Sequence, residues 1–286
     1  MSQASAVAYD RTHSVNARAV DNTDWLKTAA IIFVVVGHFG YFFMEDDLWW
    51  SVFGRFAAPS FFFLQGYAHS RTVPLRWIAI GITLTLLESW NADWRWVAPN
   101  ILLSYVLIRI ARPHAQAFVK TRGWIAFAVI VSLLLALVPV AGKIADYGAE
   151  GWLWALFGLC QRRYIDDISS GGTSGETRGS ATPTLIATDT AGRMRLVACL
   201  VAVVVYIWQE QKEYSFPAVP LAVVIVGLGV LSISMCLFVR GKSRFQPPEK
   251  IAGILRFIGR HTLEIYAIQL AGSELLVGLV PDLSPE

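Results

Sequence analysis

Charge, cysteine and the motifs of soluble enzymes are all scarce in this chain of 286 residues. Charged residues make up 16% of it against 55% hydrophobic, a balance that excludes an ordinary water-soluble domain. The three cysteines, Cys160, Cys199 and Cys236, share no CxxC or Cys/His spacing. They read as small membrane hydrophobes, so neither a disulfide framework nor a metal site is expected. No Walker sequence, GxSxG or HExxH occurs, which removes support for ATP-driven and soluble-hydrolase readings. With a formal charge of only +3, no nucleic-acid partner is expected. The polar stretch up to Thr23 lacks an apolar h-region, so no cleavable signal peptide is expected before the first hydrophobic stretch.

What the chain has in quantity is long apolar runs. Crossing a bilayer takes roughly 20 apolar residues, fewer when flanking side chains snorkel. Nine spans are predicted near 26–44, 49–68, 76–91, 97–112, 124–142, 148–161, 194–209, 217–239 and 256–279. The expected fold is therefore all-α, a polytopic transmembrane helical bundle. Residues 1–23 form a polar cytoplasmic tail and 24–286 a single transmembrane domain. Within it, 162–192, rich in Ser, Thr and Gly, is predicted to be a flexible cytoplasmic loop.

Loop charge supports this count. With the N-terminus inside, 20 of the 24 basic residues fall in inside segments, among them the Arg162/Arg163 and Arg240–Lys250 clusters. Outside loops keep Arg95, Lys143 and Lys212, while Arg55 lies within a span. That separation follows the positive-inside rule and places the C-terminus outside, in keeping with an integral protein of a bacterial cytoplasmic (inner) membrane. Removing the short sixth span, which carries Glu150 near its start, would put the two basic clusters on opposite sides. Trp25, Trp49, Trp50, Trp77, Trp94, Trp96, Trp124 and Trp208 fall at span ends and read as an interfacial belt, with carbohydrate stacking by Trp94 or Trp96 as the alternative.

Ionisable residues at membrane depth mark functional sites by default. Lys27 and His38 are eleven positions apart. On a helix that is three turns plus about 20°, so they share a face about 16 Å apart along the axis. A cation at the inside mouth suits phosphates of a cytoplasmic ligand, and a neutral imidazole deeper in suits a general base. The alternative is a snorkelling Lys and an unrelated packed His. Arg55 stays charged and needs a partner, for which Glu88 is the candidate; a structural ion pair between spans two and three is the competing reading. Pro59 permits a kink that exposes backbone carbonyls to a cavity. His69 and Arg71 close span two and are candidates for a phosphate entry site or a plain inside anchor. In the last span Glu264 needs a partner at its depth, Tyr266 lies beside it, and Glu274 near the outer end is less demanding.

Asp24-Trp25-Leu26-Lys27-Thr28-Ala29 followed by Val35-Val36-Gly37-His38-Phe39 resembles the first helix of the acyltransferase 3 superfamily. The run Gly54 to Arg71 and the segment Tyr147-Gly148-Ala149-Glu150-Gly151 are similar to its TraX branch. Gly259 to Tyr266 resembles the superfamily's closing helix. The resemblance implies an integral-membrane enzyme that moves an acyl group, often acetyl, from cytoplasmic acyl-CoA to an acceptor at or beyond the membrane. It implies His38 as catalytic base or acyl relay and Lys27 and Arg55 toward the donor; His69 and Arg71 join the donor-site candidates, and Glu88, Glu264 and Tyr266 the supporting ones, from their positions in the chain. The chain has Lys27 where the superfamily usually has Arg, Gly37 where TraX proteins tend to have Asp, and Gln269 where the closing helix often has His. The other readings are a non-catalytic subunit packed against other membrane-protein subunits and a transporter of lipid-linked material. Membrane lipids are partners under all three, and the acceptor's class leaves no trace in the sequence.

Overall fold

A reciprocal cap fixes where the first helix begins. The Asp21 carboxylate accepts from the Thr23 N–H at 2.7 Å, and the Asp24 carboxylate accepts from the Asp21 N–H at 3.0 Å, satisfying two amides that the helix itself leaves free. The computed structural model describes residues 19–44, 47–70, 72–170, 183–185 and 189–279. In order, the helices are α1 (Asn22–Phe43), α2 (Leu48–Gly54), α3 (Ala57–Tyr67), α4 (Leu75–Asn91), α5 (Ile101–Arg122) and α6 (Trp124–Ala141). They continue with α7 (Gly148–Ser170), α8 (Thr190–Tyr214), α9 (Ala218–Cys236), α10 (Glu249–Arg260) and α11 (Thr262–Leu279). Among the described residues there is no strand, only an isolated bridge between Asp21 and Lys242.

Five helices, α1, α6, α8, α9 and α11, are long and apolar enough to cross a membrane. The other predicted spans take different forms. Span two is broken into α2 and α3, and the region of span nine into α10 and α11. Helix α4 has 17 residues, and α5 carries Arg109 and Arg112. The expected short sixth span is instead a helix of 23 residues, so 162–170, predicted as loop, continue α7. Residues 171–182 and 186–188 of the expected loop, and Arg71, lie outside the described residues.

The polarity of α7 has a packing reason. From Gly148 to Gln161 it is enclosed by protein, with Leu153, Trp154, Phe157 and Gln161 fully buried, so it need not present a lipid-compatible surface there; Arg162, Arg163, Asp166 and Asp167 lie beyond, partly exposed. Helices α3 and α7 meet backbone to backbone. A Cβ on Gly66 would strike the Ala155 carbonyl, and one on Gly158 the Phe63 carbonyl, which is how small residues let membrane helices approach. Phe62, Phe63, Trp154, Phe157 and Tyr206 fill the surrounding core. Helices α1 and α2 use the same device: a Cβ on Gly37 would lie 2.7 Å from Gly54 Cα. Gly37 is therefore required by the crossing, and any side chain there would push the two helices apart.

The tryptophans divide into two groups. Trp49, Trp94, Trp96, Trp124 and Trp208 are exposed, as belt residues are. Trp77 instead carries the Arg109 guanidinium over its ring at 4.1 Å and lines the interior cavity. Trp25 packs against Phe245 at 5.8 Å.

Candidate functional site

Lys27, His38, Arg55, Glu88 and Tyr266 line one cavity of about 530 Å³. Its walls come from α1, the α2–α3 break, α4, the starts of α5 and α7, the last turns of α8, and α11. The charges are sorted along it. Lys27 near the start of α1, Arg76 at the start of α4 and Arg260 at the end of α10 occupy one end. Glu88, Asp146, Glu150, Glu210, Glu213 and Glu274 occupy the other, where α4, α8 and α11 finish and α7 begins, with Arg55 among them.

His38 sits between these ends. Its Nδ1 lies 2.6 Å from Gln269 Oε1 on α11. Gln269 Nε2 donates to Ser273 Oγ at 3.4 Å, and in this arrangement its oxygen faces the ring as an acceptor. Nδ1 therefore carries the proton, and Nε2 is the ring's lone-pair nitrogen. Tyr266 stands 5.8 Å from the imidazole, ring to ring. Its hydroxyl is held by Asn100, whose Nδ2 donates at 3.0 Å while Oδ1 caps α5 at the Leu102 N–H.

Arg55 corrects the expected pairing. Its guanidinium donates to Glu210 on α8 at 3.0 Å, with both side chains largely buried, and stacks on the Tyr214 ring at 4.5 Å. Glu88 shares the cavity but makes no ion pair among the described residues. The break falls at Arg55–Phe56, ahead of Pro59, which sits in the first turn of α3, where a missing N–H costs nothing. The Tyr206 hydroxyl donates to the Arg55 carbonyl at 2.9 Å, and the Arg55 Nε donates to Ser51 O at 3.2 Å. Protein groups thus replace the helix bonds lost at the break, as a broken span at membrane depth requires.

Lys27 is engaged as well. Its ammonium donates to the Gly259 carbonyl at 3.1 Å, at the negative end of α10. Glu264 lies in the first turn of α11, half-exposed, with Arg76 at 2.9 Å as its partner, so its expected deep burial is not found. His69 is exposed and separate from Lys27, Arg55 and His38. It lines a smaller pocket of about 270 Å³ with Arg112, Arg162 and Asp166 on the other side of α3.

The sequence reading missed Glu210 because the predicted seventh span stopped at 209, one residue before it, whereas α8 runs to Tyr214. Gln269 was visible only as a departure from the superfamily's His. Asp146 belongs to the loop before α7, where burial pushes its carboxyl up to about 6, against the Tyr147 N–H that favours the charged form. Buried Glu150 Oε2 and Gln209 Oε1, both in cavity residues, have no hydrogen-bond donor among the described residues. Among those residues no cluster of His, Cys, Asp and Glu could hold a metal.

The family model described as TraX protein matches residues 22–167, just over half of the chain, from the first turn of α1 to the far part of α7. No curated protein and no solved structure matches. The helices that complete the cavity from the C-terminal part of the chain, α8, α10 and α11, lie beyond the matched region. The chain belongs to the TraX family and, with five helices long and apolar enough to span a bilayer, is an integral membrane protein of that type.

Proposed function

We propose that this chain is an integral-membrane acyltransferase, of the TraX and acyltransferase 3 kind, using acyl-CoA as donor. The observation that carries the reading is the graded cavity: Lys27, Arg76 and Arg260 at one end, carboxylates with Arg55 as their one cation at the other, and His38 between them with Nε2 free to accept a proton. In the orientation we adopt, nine crossings put the basic end on the cytoplasmic side of a bacterial inner membrane. Arg260, with no ion pair among the described residues, and Lys27 then meet the donor's phosphates. His69 stands outside this cavity wall and is left with a peripheral electrostatic part in donor approach, a part we give to Arg71 from its place in the sequence alone.

The chemistry needs one proton relay. The acceptor's nucleophilic atom attacks the thioester carbonyl while His38 Nε2 takes its proton. A bond forms between the acyl carbon and the acceptor, the carbon–sulfur bond breaks, and the proton returns to the leaving thiolate. Gln269 holds the Nδ1–H tautomer that leaves Nε2 basic. Tyr266 and Asn100 shape the wall beside the imidazole. At the far end, Glu150 Oε2 and Gln209 Oε1 suit an acceptor that donates hydrogen bonds. Arg55, tied to Glu210, supports the frame of the site and its positive field, and Glu88 and Glu264 flank the path.

The test is acetyl-CoA binding and transfer by the purified protein, beside Lys27→Ala and His38→Ala. Saturable binding that weakens with Lys27→Ala but survives His38→Ala is expected. Transfer should fall by about 10²–10⁴-fold in the His38 variant without loss of the folded state. An active His38→Ala protein removes the catalytic assignment. A well-folded wild type that binds no acetyl-CoA moves the reading to a non-catalytic subunit of a larger membrane complex.

A further inference from the structure

Helix α10 stands apart from the membrane-crossing helices in both composition and position. Its twelve residues, Glu249–Arg260, carry three separate stripes. Ala252, Leu255 and Gly259 face inward: Ala252 and Leu255 pack with Val20 and Trp25, and a Cβ on Gly259 would meet the Asp24 carboxylate. These contacts fall just before α1 and within its first turn, so α10 lies against the end of a spanning helix. Ile251, Ile254 and Phe257 form a second stripe, all exposed, continued before the helix by exposed Phe245. Glu249, Arg256 and Arg260 form the third, while Lys250 falls beside Ile254 and Phe257 at the start of the apolar stripe. From residue 240 to 260 the chain holds six basic side chains and one acidic, Glu249, which pairs with Arg256 at 2.6 Å. Arg240, Lys242, Arg244, Lys250 and Arg260 are exposed.

We infer that α10 and the connector before it form a docking surface for anionic phospholipid headgroups. The helix lies in the plane of the leaflet, its apolar stripe sunk among the acyl chains and its cations level with the phosphates. The occupant follows from three features together: exposed apolar residues at the end of a spanning bundle, the excess of positive charge beside them, and continuity with α11 through the break at His261. A helix with one apolar and one basic face at that level is the form that binds a negative membrane surface. The surface also touches the cavity. Gly259 and Arg260 line its basic end, and Lys27 is held by the Gly259 carbonyl, so headgroup charge bears directly on the mouth of the site.

The experiment is lipid retention by the purified full-length chain. The protein is held in mixed micelles doped with phosphatidylglycerol or phosphatidylcholine, and bound lipid is counted by native mass spectrometry. Wild type should retain the anionic lipid on the order of tenfold better than the zwitterionic one. Lys242→Gln/Arg244→Gln/Lys250→Gln, all at exposed positions, should bring that ratio below about twofold with an unchanged unfolding midpoint. Ile254→Ser/Phe257→Ser should lower retention of both lipids. A matched change at another exposed cluster, Lys120→Gln/Arg122→Gln, should leave the preference intact. Equal retention of the two lipids by wild type overturns the proposal, as does loss of preference in the Lys120/Arg122 control. Competition by inorganic phosphate at matched concentration would also overturn it, by assigning the site to free anions. The readout involves no acyl donor, so it stands or falls separately from the acyltransferase reading.

Discussion

The two interrupted spans of this protein are interrupted for different reasons. The first break, at Arg55–Phe56, lies inside the bundle, and the groups that close it are buried: Glu210 on the guanidinium and the Tyr206 hydroxyl on the Arg55 carbonyl. The second, at His261, lies at the end of the bundle beside half-exposed Arg76–Glu264, with Lys27 and the Thr262 hydroxyl on the Gly259 carbonyl. A break surrounded by protein is expensive to leave unsatisfied, whereas a break near water has solvent to fall back on. Helix α1 touches both: Gly37 crosses α2 at Gly54, and Lys27 reaches Gly259. The eleven-residue spacing of Lys27 and His38 thus places one of them near each break.

The contrast breaks most sharply at Glu210. Glu210→Ala strands a buried guanidinium and should cost about 3–5 kcal/mol of stability, read as a lower unfolding midpoint in detergent. Arg55→Met/Glu210→Leu should recover most of that, since removing both charges removes the stranded one; no recovery would mean the pair does more than neutralise. Next comes Gly37→Val, which forces α1 and α2 apart and should cost about 1–3 kcal/mol. Gly253→Val, where a Cβ meets nothing within 4 Å, should be close to silent in the same assay.

At the second break, Lys27→Ala removes one hydrogen bond at a helix C-terminus and should cost about 1 kcal/mol. A loss as large as that of Glu210→Ala would erase the distinction between the two breaks. A further effect, read as a pH dependence, concerns Asp146. Its carboxyl is raised by burial to about 6, so the folded state holds this proton more tightly than the unfolded chain does. Its contribution is fully present below the unfolded value, near pH 4, and is lost as pH rises through about 6. Stability should slope downward over that window in wild type, and Asp146→Asn should flatten the slope.

Reading the sequence alone located the helical, membrane-embedded character and the residues that share the cavity, because a lone Lys, His or Arg in an apolar run stands out against its neighbours. Partners were harder to see. Glu210 sits in the run Gln209 to Glu213, which looks like the polar end of a span and gives no sign that it turns inward. Gln269 lies 231 residues from His38, and nothing local records their contact. Hydropathy reports surroundings least well at two places: α7 is enclosed up to Gln161 and carries its charge beyond it, and α10 is apolar on one stripe yet lies at the end of the bundle. Enclosure by other helices is a property of the packed molecule, so a window on the chain does not register it.

Near its N-terminal end the described chain is stitched to its own distant part. The Asn22 N–H donates to Gly241 O at 3.0 Å, the Ser243 N–H to Val20 O at 2.9 Å, and the Asn22 side chain to Val239 O at 2.8 Å. During synthesis, α1 is therefore made more than 200 residues before the segments that dock on it. Lys27 and His38 have to wait in the membrane or its insertion machinery without Gly259 or Gln269, and the cavity closes only when the last two helices arrive. Ribosome-stalled chains ending before residue 249 should accordingly be the ones that cellular quality control degrades.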